Sequence, residues 1–161
     1  MANPVYRPLN VAVLQLADHL FPTGFDVGED APGTLEGLTD HIDQTGRMLV
    51  WSGACEGTIF DDAEVNRAFR AWHDFHHYRG RLPFTLTGEK VAAWRQIDDI
   101  RALYGDTKAS RTMQALVYAE VVGQAEHFAR TGEFPKDQRE FSLAYIRSTS
   151  MPPGLRRDLA I

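Results

Sequence analysis

Length, composition and charge place the sequence among globular proteins that fold around one hydrophobic core. The chain has 161 residues, of which 43% are hydrophobic and 24% are charged. These values exclude intrinsically disordered, collagen-like and coiled-coil classes, and roughly 100–200 residues per domain predicts one domain. The only cysteine, Cys55, excludes an internal disulfide and favours a reducing compartment.

The sequence shows no signal for membranes or secretion. No apolar stretch approaches the roughly 20 residues that a bilayer-spanning helix needs. The first residues, Met-Ala-Asn-Pro, have neither the basic region nor the apolar core of a secretory signal. We therefore expect a cytoplasmic protein without a membrane partner.

The net charge of −5 is unevenly distributed along the chain. Residues 1–64 carry eleven acidic and two basic side chains, a net charge of −9, whereas residues 65–161 carry eleven acidic and fifteen basic side chains, a net charge of +4. We interpret this as an acidic N-terminal layer, residues 1–60, lying on a mildly basic helical part. The alternative is an acidic surface that binds another protein. Nucleic-acid binding is not supported, because no dense block of Lys and Arg is present.

The N-terminal third predicts two helices and a small β element. Apolar residues recur at helical spacing over residues 9–20. Residues 35–45 predict a short helix, which Gly46 ends. Two short apolar runs around a glycine-containing loop then predict a small β-hairpin near residues 47–60.

The remainder of the chain predicts four helices and a tail. Caps and glycine stops bound these helices at residues 61–78, 88–104, 108–131 and 137–148. Asp61 and Thr87 are the expected N-caps of the first two. The predicted fold class is mainly α, a compact helical domain of about five to six helices with the small hairpin. A single domain covers residues 1–148, with its helical core at residues 61–148, and residues 149–161 form a C-terminal tail.

Two histidines on the helix at 61–78 point to metal chemistry. His73 and His77 are four residues apart, so their rings share one helix face about 6 Å apart at Cβ and could bind one ion. Metalloprotease helices with the pattern His-Glu-x-x-His use this spacing. Here Asp74 stands where the glutamate would act as a base, and it is one methylene shorter. The same pair could instead lie at a half-buried surface of this aromatic-rich helix.

Carboxylates on two further helices occupy positions that should be apolar. On the helix at 108–131, the apolar stripe continues onto Glu120, Gln124 and His127. Glu89 has a similar position on the inward stripe of its own helix. A glutamate in such a stripe is costly to bury unless it is paired or ligates a metal. The three helices are therefore expected to direct ligand-capable groups at a common interior.

We predict a metal site in which His73, His77 and Glu120 are the ligands. Asp74 or Glu89 would be the catalytic base for a metal-bound water. Two further side chains, Gln124 and His127, would orient the ligands or the substrate.

Imidazole and carboxylate ligands suit zinc, iron or manganese, whereas no motif indicates a nucleotide cofactor. A ferritin-like di-iron centre is not expected, because Gly123 replaces the histidine three residues after Glu120. The competing interpretation is a buried hydrogen-bond network in which Glu120 pairs with a protonated His73 or His77, or with Arg70.

Two stretches of the sequence form a distinctive pattern: Ala-Glu-Val-Asn-Arg-Ala-Phe-Arg-Ala-Trp-His-Asp-Phe-His-His at residues 63–77 and Ala-Glu-Val-Val-Gly-Gln at residues 119–124. They carry a resemblance to a family of small, uncharacterised bacteriophage-encoded proteins, particularly of phages that infect actinobacteria. It continues in the pairs at 83–84, 88–89 and 127–128 and in residues 131–138. The resemblance implies a viral origin and expression inside an infected bacterium. It also implies that the family pattern includes His73, His77, Glu89, Glu120 and Gln124.

The functional prediction is a phage-encoded helical protein with a His/Glu metal site, a metal-dependent hydrolase acting in the cytoplasm of the infected host. The alternative is a non-enzymatic protein that binds a host or phage protein through its acidic N-terminal part, with the His/Glu cluster as a structural network. A structural role in the virion is a third possibility.

Overall fold

The computed structural model describes residues 2–161 and is mainly helical, as predicted. The helices are α1 (Arg7–Leu20), α2 (Leu35–Thr45), α3 (Ala63–Gly80), α4 (Leu86–Tyr104), α5 (Lys108–Tyr118), α6 (Gln124–Thr131) and α7 (Gln138–Arg147). A π-helical turn, Ala119–Gly123, joins α5 to α6, so these two form one interrupted helix. A short 3₁₀ turn, Pro153–Leu155, lies near the end of the chain.

Helices α3 and α4 begin within one or two residues of their expected positions, and each is capped by a polar side chain. Asp62, not Asp61, caps α3, and its carboxylate accepts hydrogen bonds from the backbone N–H groups of Glu64 and Val65. Thr85, not Thr87, caps α4. Side-chain oxygens at these positions satisfy backbone donors that have no partner inside the helix.

The predicted hairpin near residues 47–60 is wrong. The two strands are β1 (Asp26–Gly28) and β2 (Leu49–Trp51), and they pair in parallel, with Val27 opposite Val50. Parallel strands need a long crossover connection, and α2 lies within it. The second apolar run of the expected hairpin packs into the core instead of forming a strand: Ile59 and Phe60 are fully buried.

Helix α3 occupies the centre of the fold. Its contacts extend to α1, α2, β2 and α4. The main core lies where α1, α3, α4 and α5 meet, with Trp72 as its largest fully buried side chain. A smaller apolar cluster around Leu38, Met48 and Val50 packs between α2, β2 and α3. Because α3 is fixed on several sides, side chains on its α4-facing surface are held in place.

The last residues pack against the helical core. Met151 and Leu155 are buried, and the carboxylate of Asp158 forms ion pairs with Lys108 and Arg111 on α5. The segment predicted as a tail, residues 149–161, therefore contributes apolar side chains to the core.

The acidic N-terminal layer is not attached by ion pairs to the basic part of the chain. Every ion pair found within residues 2–161 joins two groups from residues 1–64 or two groups from residues 65–161. Contact between α1 and α3 is instead apolar, through residues such as Val13, Leu16 and Phe69. Within the described residues, no helix combines the length and hydropathy needed to cross a bilayer.

Candidate metal centre

His73, His77 and Glu89 form a compact group between α3 and α4 that could hold a metal ion. The two histidines lie one helical turn apart on α3, and Glu89 lies in the first turn of α4. His73 Nε2 is 3.0 Å from His77 Nε2 and 2.9 Å from Glu89 Oε2. The remaining distance, from His77 Nε2 to Glu89 Oε2, is 3.5 Å.

These three atoms have the spacing of ligands around one ion. The distances of 3.0, 2.9 and 3.5 Å place a common centre about 1.8 Å from each atom in their plane, and transition metals bind nitrogen and oxygen at about 2.0–2.2 Å. The three atoms are therefore spaced closely enough that one ion could contact all of them.

Hydrogen bonds on the far side of each ring fix the direction of both imidazoles. The Nδ1 of His73 lies 2.9 Å from Oε1 of Gln96, and the Nδ1 of His77 lies 2.8 Å from the carbonyl oxygen of Leu82. Both partners are acceptors, so each Nδ1 carries the proton and donates it. The neutral form of each ring then presents its Nε2 lone pair to the centre, as in most histidine ligands of metals.

The short loop between α3 and α4 supports this arrangement. The ring of Phe84 stacks on His77 with centroids 4.3 Å apart. A β-carbon at position 88 would overlap the carbonyl oxygen of Pro83, so glycine at that position lets the loop pack closely against the start of α4. This close packing brings Glu89 to the histidines.

The electrostatics of the group are those of a tightly coupled acid and base. Burial acts to lower the pKa of His73, but Glu89 and the hydrogen bond to it raise this pKa to about 9. Burial acts to raise the pKa of Glu89, but His73 and His77 lower it to about 2. Burial raises the pKa of Asp74 to about 6 against the attraction of both histidines. Asp74 thus belongs to the same charged environment, beside the three-residue group.

Access to the group is from one side. The His77 side chain is completely buried, whereas those of His73 and Glu89 are 15% and 18% exposed. Solvent therefore reaches the group past His73 and Glu89.

Glu120 does not join this group, contrary to its predicted role as the third ligand. Its carboxylate accepts a hydrogen bond of 3.0 Å from Ser142 Oγ on α7 and forms no ion pair with His73, His77 or Arg70 within residues 2–161. Burial raises the pKa of Glu120 to about 7. The carboxylate that lies with His73 and His77 is that of Glu89, which the sequence suggested as a base.

The two side chains predicted to orient the ligands also lie elsewhere. Gln124 is buried beside Glu120. His127 lies in a small surface groove with its ring 5.1 Å from that of Phe141. Neither is a partner of His73 or His77 in the hydrogen bonds of the described residues.

The π-helical turn at residues 119–123 breaks the helical phase on which Gln124 and His127 were assigned. A continuous α-helix advances 100° per residue, and a π turn accommodates an extra residue and rotates everything after it by about that angle. The apolar stripe that we extended through the helix at 108–131 therefore does not continue in phase. Glu120 lies within the π turn and faces Ser142 on α7.

Gln96, which lies against His73 Nδ1, was not among the residues predicted from the sequence. The position of Gln96 in the sequence could have indicated this role. Gln96 lies on the inward stripe of α4 with Ala93, Ile97 and Ile100, and all four are completely buried. A glutamine in such a stripe needs a polar partner, as a glutamate does.

A second missed contact anchors α3 to α4 next to the site. Asp99 Oδ2 lies 2.7 Å from His76 Nε2 and accepts a 2.8 Å hydrogen bond from Trp72 Nε1. It fixes the two helices that supply the three ligand atoms.

The sequence matches no protein-family model, and it has no significant match among curated proteins or solved structures. The resemblance to bacteriophage proteins stays a prediction.

Proposed function

We propose that the protein binds one divalent transition-metal ion through His73 Nε2, His77 Nε2 and the carboxylate of Glu89. The observation that carries this proposal is the convergence of His73 Nε2, His77 Nε2 and Glu89 Oε2 within 3.5 Å of one another, with the Nδ1 of each imidazole held by a hydrogen bond on the far side of the ring. A single proton on His73 Nε2 could bond to both His77 Nε2 and Glu89 Oε2 only through a bent hydrogen bond that the two acceptors share. A metal ion would bind all three directly.

Hydrolysis is the reaction that this ligand set supports best. Two histidines and one carboxylate leave coordination positions for a water molecule, and the same ligand set serves metal-dependent hydrolases. A bound divalent ion lowers the pKa of its water and so supplies a nucleophile near neutral pH. Asp74, next to His73 on α3, is the remaining carboxylate beside the ligands and would accept the proton of that water.

The bacteriophage origin and the host cytoplasm as the place of action remain part of the proposal. They rest on the sequence resemblance at residues 63–77 and 119–124 alone.

The ligand set is tested by metal titration of the purified protein after dialysis against EDTA. We expect one Zn²⁺ or Co²⁺ per chain by elemental analysis, with tetrahedral or five-coordinate d–d bands for Co²⁺. Glu89→Gln should weaken binding at least tenfold, because it removes the anionic ligand. Glu120→Gln, a change of the same type at a buried glutamate outside the group, should leave the stoichiometry unchanged. If Glu89→Gln and Glu120→Gln weaken metal binding equally, the assignment of Glu89 as a ligand is contradicted.

The reaction class is tested with chromogenic esters and phosphate esters in the presence of Zn²⁺ or Mn²⁺. Asp74→Asn should lower kcat while the metal stoichiometry remains one. Loss of metal binding in Asp74→Asn would show that Asp74 is a ligand rather than a base. Metal-bound protein that hydrolyses none of these compounds faster than free metal would contradict hydrolysis.

The second candidate function is non-enzymatic partner binding, with the cluster as a structural network. It is favoured by the ion pair between His73 and Glu89, which with Gln96 and the Leu82 carbonyl can satisfy the group without an ion. In that case Glu89→Gln should lower the free energy of unfolding of metal-free protein, and Zn²⁺ should not raise the melting temperature of the wild type.

A further inference from the structure

A second candidate site lies at the opposite end of α3 from the histidines. It is an open groove of about 570 Å³ between the loop that follows β2, the first turns of α3 and the turn that precedes α7. Residues from all three segments line it, among them Cys55, Arg67, Phe134 and Lys136. Its volume lies within the usual range for small-molecule sites, about 300–1,000 Å³.

The cations of this groove have no acidic partner. Within residues 2–161, neither Arg67 nor Lys136 forms an ion pair, although Glu56 also lines the groove. The Nε of Arg67 is buried and has no hydrogen-bond partner among the same residues. A buried donor without an acceptor is costly, and no acceptor among the described residues offsets this cost.

One wall of the groove is aromatic and exposed. The side chain of Phe134 is 60% exposed and lies against Phe128, which is 45% exposed, with ring centroids 4.8 Å apart. Pro135 continues this wall. An apolar wall beside unpaired cations matches a ligand that carries both an anionic group and a flat apolar part.

The opposite wall is held in a fixed shape. The guanidinium of Arg70 donates hydrogen bonds to the carbonyl oxygens of Trp51, Gly53 and Ala54, and its Cζ lies over the Trp51 ring, 5.3 Å from the ring centre. The loop that carries Cys55 is thereby anchored to α3. A groove with a preformed wall binds ligand at a smaller entropic cost.

We propose that this groove binds a small organic oxyanion, a carboxylate or phosphate attached to a flat apolar group. Arg67 and Lys136 bind the oxyanion, and Phe134 packs against the apolar part. This site is independent of the metal centre and does not depend on the function proposed for it.

The lone thiol provides a direct reporter for the test, because Cys55 is the only cysteine of the chain and lines the groove. We compare its alkylation rate with iodoacetate, an anion, and with iodoacetamide, its neutral analogue. The ratio of the two rates should fall about threefold or more in Arg67→Met/Lys136→Met, because two positive charges near the thiol are lost.

The matched control is Arg79→Met/Arg157→Met, which changes the net charge equally at two exposed positions outside the groove. It should keep the wild-type rate ratio. Melting temperatures and circular dichroism confirm that both double variants are folded. An equal fall of the ratio in both variants would overturn the proposal, since it would show only a net-charge effect.

Ligand binding is tested by protection of Cys55 from iodoacetamide with millimolar phenyl phosphate, benzoate, inorganic phosphate and benzyl alcohol. Phenyl phosphate or benzoate should slow alkylation in the wild type and in the control variant but not in Arg67→Met/Lys136→Met. The stronger of these two probes identifies the oxyanion. Equal protection by benzyl alcohol, equal protection by inorganic phosphate, or no protection by any probe would each overturn the proposed ligand class.

Discussion

Gln96 decides how His73 is presented to its neighbours. The amide oxygen accepts the Nδ1–H of His73, and the side chain is completely buried on α4. Without this acceptor, the neutral form of the His73 ring could carry its proton on Nε2, and the ring would lose a contact that fixes its orientation. The partner of a ligating imidazole is therefore part of the binding site, because it sets both the tautomer and the ring orientation.

We predict that Gln96→Leu weakens Zn²⁺ binding by about 10- to 100-fold. Leucine fills a similar volume but accepts no hydrogen bond. Gln96→Glu should retain the affinity, because a carboxylate is also an acceptor. Competition titration with a chromogenic chelator measures both.

The control for this prediction is Gln114→Leu, another buried glutamine, which bonds with Arg101 and Ser110 at a distance from the histidines. It should lower stability without changing Zn²⁺ affinity. If Gln96→Leu binds Zn²⁺ as tightly as the wild type, then Gln96 does not position His73.

At the scale of elements, the π turn between α5 and α6 contacts two neighbouring helices. Its residues pack on α4, and its Glu120 faces α7. Gly123, at the end of the turn, allows α7 to approach, because a β-carbon there would lie 2.9 Å from Cγ of Tyr145. Tyr145 is itself held by a 2.8 Å hydrogen bond to Glu126, so its ring cannot move aside freely.

Gly123→Ala should therefore destabilise the protein, although alanine is the better helix former. Overpacking against a fixed ring costs about 1–3 kcal/mol, and the gain in helix propensity offsets about 1 kcal/mol of this. Urea unfolding measures the net loss.

Gly33→Ala is the matched control, since a β-carbon there meets nothing within 4 Å, and it should be neutral or slightly stabilising. The double variant Gly123→Ala/Tyr145→Ala should cost less than the sum of its single changes. Additive losses would mean that the Tyr145 ring is not the obstacle.

The same turn marks the limit of what periodicity can predict. Helical spacing and caps predict α1, α2 and the helices from residue 63 onwards, because burial of one face and capping are local effects. The pair His73 and His77 follows from the four-residue spacing. The π turn leaves no mark in the periodicity, so Gln124 and His127 were assigned to the wrong neighbours. The contact of Glu120 with Ser142 on α7 is a tertiary contact that periodicity does not report. The parallel pairing of β1 with β2 was also missed. It depends on contacts between residues 23 positions apart, which local sequence patterns do not report.

At the scale of the whole molecule, one buried carboxyl couples folding to pH outside the metal centre. Glu120 is buried among Ser142, Gln124 and the more distant charge of Arg70, and burial raises its pKa from an ordinary value near 4.5 to about 7. Between these two pH values the unfolded chain has released this proton and the folded chain retains it. Stability from this group is therefore present below pH 4.5 and is lost as the pH rises towards 7.

We predict that Glu120→Gln becomes progressively more stable than the wild type between pH 5 and pH 8. Glutamine keeps the size and hydrogen-bonding capacity of the protonated acid but cannot ionise. A shift from 4.5 to about 7 corresponds to a relative gain of up to about 3 kcal/mol. Urea unfolding of both proteins at several pH values in EDTA measures it, because the titration of every other group cancels in the difference. A difference that does not change with pH would show that Glu120 ionises in the folded protein as easily as in the unfolded chain.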